Sequence, residues 1–372
     1  MSDRPQAPLK VLIISRACRL SGGGMERFGH DFIQAFQQHP ALLVETICHR
    51  GSRSTSPLFS LLVIPRAFWQ SRQVDVVHLG DPMLSLAGWL IKTIWRKKIA
   101  VTVHGLDITY PNAFYQIYLR LFLRSFDYYF PISAAVANCL QPFRVSGQAK
   151  VINPPLSVDY FDPSIKREQL YQLLGRYNLN QASPPALLAP AYLLTTGRLV
   201  TRKGHAWFIS HVMPLLPSHV HYLVAGTGPA ESSLRHLIQT HHLNDRVHLL
   251  GRVSDDALRI LYNTVDAYVQ PNVPVKNDLE GFGLVVIEAA ACQLPVFSAA
   301  VDGLPDAIIP GKNGQLLPPN NATAWQAALQ PLIASPQPSP LARKFTLRHY
   351  TWSAYLRSWL DTLSNTATPH RR

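Results

Sequence analysis

A chain of 372 residues, 47% apolar and 15% charged, is too long for one compact core and suits two domains of about 150–190 residues each. This composition excludes a disordered or low-complexity polypeptide. The net charge of +13 favours anionic partners, whether a phosphorylated substrate or an anionic lipid surface; nucleic acid is excluded for want of any supporting motif.

The excess is uneven. Residues 1–180 carry 20 Lys and Arg against 11 Asp and Glu, and residues 181–372 carry 15 against 11, so the N-terminal half is the basic one. The start, MSDRPQAPLK, lacks the basic n-region and apolar core of a signal peptide, and no apolar run approaches the roughly 20 residues of a membrane span. Cys18, Cys48, Cys139 and Cys292 form no C-x-x-C pair, which points to neither a zinc site nor a disulfide framework. A cytoplasmic protein is expected.

In chain order, short apolar runs ending in turn residues alternate with longer amphipathic segments. The runs are 9-LKVLIIS-15, 43-LVETIC-48, 74-VDVVHL-79, 99-IAVTVH-104, 127-DYYFPIS-133 and 150-KVINPP-155. This alternation predicts a parallel sheet with crossover helices. A Pro-rich stretch, 181-QASPPALLAPA-191, interrupts it and reads as a boundary. The pattern restarts with 192-YLLTTG-197, 221-HYLVAG-226, 246-RVHLLG-251, 267-AYVQP-271 and 295-PVFSA-299, a second doubly wound domain. Ligands of such sheets bind beyond the carboxyl ends of the strands, so the turns there hold the candidate residues.

The first such turn, 21-SGGGMERFGH-30, opens an amphipathic helix with three glycines that let backbone N–H groups approach an anion. A dinucleotide fingerprint is the rival: Gly22 and Gly24 fit it and Glu45 lies about 20 residues on, but Arg27 occupies the third glycine position. The turn 101-VTVHGLDITYPN-112 offers His104 as a donor to a sugar hydroxyl or a developing charge, with Asp107 to orient it or the substrate; a histidine that merely satisfies its own turn is the plainer alternative. The segment 113-AFYQIYLRLFLRSFDYYF-130, with Arg120 and Arg124 four apart, either lines an acceptor or lipid surface or packs in a core.

In the second half, 196-TGRLVTRKGHAWFI-209 places Arg198 and Lys203 five residues apart. Arg with its planar fork and Lys as a point charge suit a diphosphate; a solvated charged turn is the alternative. The stretch 279-LEGFGLVVIEAA-290 holds two of the chain's six glutamates around a glycine pair. A helix beginning near Phe282 would offer free N–H groups to a phosphate. Glu280 would then stand in the loop before it, and Glu288 more than a turn inside.

With these motifs in order, the chain resembles the retaining glycosyltransferases of family 4. The likeness covers nearly the whole length: the glycine loop, the HG turn, 131-PISAAVANCL-140, 152-INPPLSVDYF-161, GRLVTRKG, AGTGP, 249-LLGRVSDDAL-258, the E-x7-E stretch and the closing segment 349-HYTWSAYLRSWL-360. It implies an α/β fold of GT-B architecture, two Rossmann-like doubly wound domains facing a cleft, with a C-terminal helix crossing back to the first. The implied division is 1–183 on the acceptor side, 184–350 on the nucleotide-sugar side, and 351–372 as returning helix and tail.

The resemblance also implies roles. Arg198 and Lys203 would hold the donor diphosphate, with Gly281, Phe282, Gly283 and Leu284 completing the cradle. Glu288 would take the ribose hydroxyls and Glu280 a hydroxyl of the transferred sugar, while Arg252 and Val253 would lie near the base. Gly23 and Gly24 would approach the donor phosphates, His104 the sugar, and Asp107 and Tyr110 the acceptor. The implied co-substrate is a nucleotide sugar, GDP-mannose or a UDP-hexose, with no other cofactor and no metal, since no D-x-D occurs and Asp278-Leu279-Glu280 is the nearest to one. The implied acceptor is lipid-linked or a saccharide, at an anionic membrane surface if the basic half docks there.

HGLD followed by TYPN points within the family toward a mannosyl-transferring branch, and 153-NPPLSVD-159 departs from its usual N-G-V-D. A sugar-nucleotide epimerase or phosphorylase of the same fold, a non-catalytic nucleotide-sugar binder and an NAD-dependent oxidoreductase are the rivals, the last weakened by Arg27.

Overall fold

A computed structural model of the protein describes residues 7–18, 24–49, 51, 55–177, 179, 189–335 and 337–364. Most of the Pro-rich stretch 181–191 and the glycines of the first loop up to Gly23 lie outside them. The chain divides into two compact units, Met1–Ser157 with Tyr350–Arg372, and Val158–His349.

The first unit is built on a six-stranded sheet in the order β2-β1-β3-β4-β5-β6. Its strands are β1 (Leu9–Ser15), β2 (Leu42–Cys48), β3 (Val76–Leu79), β4 (Lys98–Val103), β5 (Tyr128–Pro131) and β6 (Gln148–Ala149), and every pairing is parallel. Both faces of such a sheet are covered, which is why β1 is a continuous apolar run with Val11 to Ile14 fully buried. The last strand falls at Gln148–Ala149 and not over 150–155. Lys150 and Ile152 still donate to Tyr129 and Pro131 carbonyls at 2.9 and 3.1 Å, but Pro154 and Pro155 have no N–H with which to continue a ladder.

Helix Trp352–Ser364 belongs to this unit, as the returning helix was expected to. Its Tyr355, Leu356, Trp359 and Leu363 pack with Phe28, Phe32 and Phe36 of helix Gly24–Gln38. Trp359 is fully buried and its Nε1 donates to His78 Nδ1 at 3.2 Å, giving the indole N–H the partner that burial demands.

The second unit repeats the plan in the order β12-β11-β10-β7-β8-β9. Its strands are β7 (Ala191–Thr196), β8 (Val220–Ala225), β9 (Val247–Gly251), β10 (Ala267–Gln270), β11 (Val296–Ala299) and β12 (Gln315–Leu317), again all parallel. In each sheet the chain winds outward in both directions from one pair of adjacent strands, β1 and β3 in the first and β7 and β10 in the second. The crevices beyond the carboxyl ends of those pairs are where this topology accepts ligands.

The cysteine expectation is corrected: Cys18 and Cys48 are joined as a disulfide, with Cα atoms 6.1 Å apart. The parallel register sets Ser15 opposite Cys48, so a residue just past the end of β1 meets the last residue of β2 although 30 positions separate them. Cysteine usage therefore gives no ground for a reducing compartment. Among the described residues no helix is long and apolar enough to cross a membrane.

Candidate active site

Glu280 is the centre of the site in the second unit. It follows β10 in a loop, is 8% exposed, and receives three groups on a single oxygen. Lys203 Nζ lies 2.8 Å from Oε2, Asn272 Nδ2 donates to it at 3.1 Å, and Arg202 Nε stands 3.5 Å away. Oε1 has no partner among the described residues. Burial would push this carboxyl up, but Lys203 and then Arg202 outweigh it and hold Glu280 down at about 2. A buried acid is thus kept ionised with one oxygen anchored and the other available.

The backbone of the loop is equally constrained. Glu280 N–H donates to Asp302 Oδ2 at 2.9 Å, its carbonyl accepts from Gly303 N–H at 3.0 Å, and Arg202 reaches Asp278 at 2.9 Å. Gly281 lies in the loop between Glu280 and Phe282, which is buried; Gly283 takes the left-handed conformation, φ 92°, and starts helix Leu284–Ala291. The N–H groups of Leu284 and Val285 have no intrahelical acceptor, while Val286 N–H donates to the Gly283 carbonyl at 3.0 Å, which makes the helix N-terminus suited to an anion. Glu288 is half-buried on the same helix and accepts from Tyr262 Oη at 3.2 Å.

Lys203 closes a short turn after β7, where Gly197 (φ 131°) and Gly204 (φ 69°) have conformations open to glycine. A Cβ on Gly204 would meet the carbonyl oxygen of Pro271 at 1.7 Å, so the absence of a side chain lets the turn carrying Lys203 lie against the exit of β10. Arg198 leaves the same turn exposed, its guanidinium without a partner among the described residues. Arg252 is exposed and Val253 half-buried in the turn after β9. Each of the residues proposed from sequence in this unit thus follows the carboxyl end of β7, β9 or β10.

In the first unit His104 follows β4, and its Nε2 lies 3.1 Å from the Gly80 carbonyl. The Asp107 carboxylate accepts from the N–H groups of His104 at 2.9 Å and Gly105 at 2.7 Å, so it braces its own turn. Burial holds Asp107 above the usual carboxylate range, although His104 pulls the other way. Tyr110 is exposed. Gly24 is exposed at the start of its helix, and Gly23 lies outside the described residues.

Sequence reasoning did not single out Asn272, Asp302 or the pairing of Arg202. It also missed Arg16 and Asp81, which lie after β1 and β3 and form a partly buried fork: Arg16 Nε is 2.9 Å from both carboxylate oxygens and Nη2 is 2.8 Å from Oδ1. Their common position, one or two residues past strand ends, was the available signal.

Known proteins share this fold. The glycosyl transferases group 1 family model matches residues 180–351, and the glycosyltransferase family 4 model matches residues 22–160. WcaL of Salmonella typhimurium, a glycosyltransferase named for colanic acid biosynthesis, is 27% identical over 262 residues, which are 69% of this chain and 60% of that protein. The chain therefore spans about 60% of the length of this relative.

Sucrose-phosphate synthase from Thermosynechococcus elongatus superposes with a TM-score of 0.73 at 20% identity, covering 97% of this chain and 100% of that one. Anabaena HepE in complex with UDP-glucose superposes at 0.70 and 17% identity, covering 96% and 100%. Two doubly wound sheets, two matching family models and these neighbours lead to one conclusion: the chain belongs to glycosyltransferase family 4 and has the GT-B fold.

Proposed function

We propose that the protein is a retaining glycosyltransferase that moves a hexose of mannose or glucose type from a nucleoside-diphosphate sugar to a hydroxyl of a glycolipid, polysaccharide precursor or glycoside. The observation that carries this reading is Glu280, a buried, ionised carboxylate with one oxygen clamped by Lys203 and Asn272 and the other without a partner among the described residues. Such a group suits a sugar hydroxyl, and the cations and helix N-terminus around it suit a diphosphate. UDP-glucose in HepE supports a nucleotide sugar as co-substrate.

In this reading Arg198, Lys203 and the backbone of Gly281 to Leu284 hold the diphosphate, and Glu288 holds the ribose. Arg252 and Val253 border the base, and Gly23, Gly24, His104, Asp107 and Tyr110 serve from the first unit. The acceptor oxygen bonds to the anomeric carbon on the face the diphosphate leaves, and the departing phosphate takes the acceptor proton. The cations stabilise the charge that develops on that phosphate, a task a divalent ion performs elsewhere.

Calorimetry with GDP-mannose, UDP-glucose, UDP-galactose and UDP-N-acetylglucosamine in EDTA tests the donor. One of them is expected to bind saturably, about tenfold more weakly after Arg198→Ala, the effect of losing a charged hydrogen bond. Binding of none would contradict the assignment.

The acceptor side is read as the cytoplasmic face of an anionic membrane, whose surface potential attracts basic segments. Helix Ala113–Phe122 supports this: Phe114, Ile117 and Leu121 are exposed, Phe114 by 84%, beside exposed Arg120 and Arg124. The expected result is flotation with anionic vesicles that Phe114→Asp weakens. Flotation of neither protein would remove the membrane from the account.

A further inference from the structure

The two glutamates of the E-x7-E stretch are joined through the interior of the second unit by an unbroken run of polar contacts. Asn272 Nδ2 donates to Glu280 Oε2 at 3.1 Å, Gln270 Nε2 to Asn272 Oδ1 at 2.5 Å, and Tyr268 Oη to Gln270 Oε1 at 3.0 Å. From the other end, Tyr262 Oη donates to Glu288 Oε2 at 3.2 Å. Both phenol oxygens lie against the Thr196 hydroxyl, Tyr262 at 2.9 Å and Tyr268 at 3.0 Å, and the Thr196 backbone N–H donates to Tyr268 at 3.2 Å. Thr196, Tyr262, Tyr268, Gln270 and Asn272 are all buried.

Counting protons gives the run a direction. A carboxylate only accepts and a phenol has one proton to give. Burial raises both phenols far above their ordinary range, so both stay protonated. Tyr262 spends its proton on Glu288 and Tyr268 spends its own toward Glu280, which leaves each phenol oxygen an acceptor. Thr196 supplies the donors within reach, its hydroxyl for Tyr262 and its N–H for Tyr268. Every bond in both arms then points outward from Thr196 to a carboxylate, and a buried chain of that kind strengthens as a unit.

We propose that Thr196 is a positioning residue for both glutamates, its hydroxyl orienting Glu288 through Tyr262 and its backbone N–H orienting Glu280 through Tyr268, so that the ribose end and the sugar end of the donor site are set from one residue. The functional half of this proposal rests on the donor-site reading above; the network itself does not. The position is last in β7, the strand whose exit also carries Arg198 and Lys203, so one strand end would register cations and acids alike.

The test is carbon-13 NMR of the full chain labelled at the glutamate carboxyls. The chain holds six glutamates, which single Glu→Gln changes assign. Thr196→Val, which removes the hydroxyl and keeps the N–H, is expected to move the Glu288 resonance and leave Glu280 in place, and Thr196→Ser to leave both in place. Tyr268→Phe is expected to move Glu280 alone and Tyr262→Phe to move Glu288 alone. The proposal falls if Thr196→Val leaves the Glu288 resonance unmoved or if Thr196→Ser is as disruptive. Should Thr196→Val fail to fold, the two Tyr→Phe variants read the same arms, and a tyrosine change that does not move its own glutamate overturns the proposal.

Donor kinetics run in parallel. Thr196→Val is expected to lower kcat/KM about tenfold, in proportion to one lost hydrogen bond at a charged site, with recovery in Thr196→Ser. A parent that neither binds nor turns over a nucleotide sugar, with each resonance answering to its own arm as described, would sink the donor reading and leave the network standing. An active parent matched by Thr196→Val would sink the positioning role.

Discussion

Glu280→Gln is expected to unfold more easily than the parent at neutral pH, by about 3 kcal/mol, and to match it in strong acid. The figure follows from a carboxyl held at about 2 against an ordinary 4.5, at 1.4 kcal/mol for each unit. The sign is that of a depressed acid. Its stabilisation is fully present above pH 4.5, where the unfolded chain is also ionised, and is lost as pH falls through 2.

The physical source is Lys203 and Arg202, two enclosed cations that glutamine cannot neutralise; removing one partner of a buried pair costs more than the pair is worth against an apolar replacement. Denaturant titrations of both proteins at pH 7, 4 and 2 measure it. Parallel acid limbs for parent and variant would mean that Glu280 is not clamped as described.

Gly226→Ala is expected to be, with Gly204→Ala, among the most damaging small substitutions in the second unit. Gly226 follows β8 with φ 156°, and a Cβ there would sit 1.7 Å from the carbonyl oxygen of Gly197, which follows β7. Backbone meets backbone at that point, so no rotamer relieves it. The expected loss is about 3–5 kcal/mol, or a fall of roughly 10 °C in Tm, with loss of donor binding because Gly197 leads directly into Arg198.

Gly311→Ala is the matched control. Its φ of 74° carries the left-handed cost, but nothing lies within 4 Å of its Cβ, and about 1–2 kcal/mol is expected. Equal effects at the two positions, read by thermal denaturation, would show that contact between the strand exits is not what Gly226 protects.

The strands were legible where burial on both faces forces a continuous apolar run, as in 9-LKVLIIS-15 or 192-YLLTTG-197. The strand Gln315–Leu317 was not, because three residues beginning with a glutamine have no periodicity to read. The Glu280 and Glu288 stretch was legible from its glycines and from the scarcity of glutamate. Its partners were less so.

Thr196, Tyr262, Tyr268 and Gln270 look like ordinary strand and helix residues, and only the adjacency of β7 and β10 brings them together. The same holds for Arg16 with Asp81 and for Cys18 with Cys48, which depend on β1 lying between β2 and β3. A sequence names the strands of a doubly wound sheet, but which strand ends become neighbours is a property of topology.

The most direct test of the account is donor-sugar turnover by Glu280→Gln beside the parent, at neutral pH in EDTA, with far-UV circular dichroism confirming that both are folded. The account predicts release of nucleoside diphosphate by the parent and a loss of roughly a hundredfold or more in the variant, the scale of removing one group aimed at developing charge. Equal turnover by the two folded proteins would contradict it, because the clamped carboxylate would then have no part in handling the sugar.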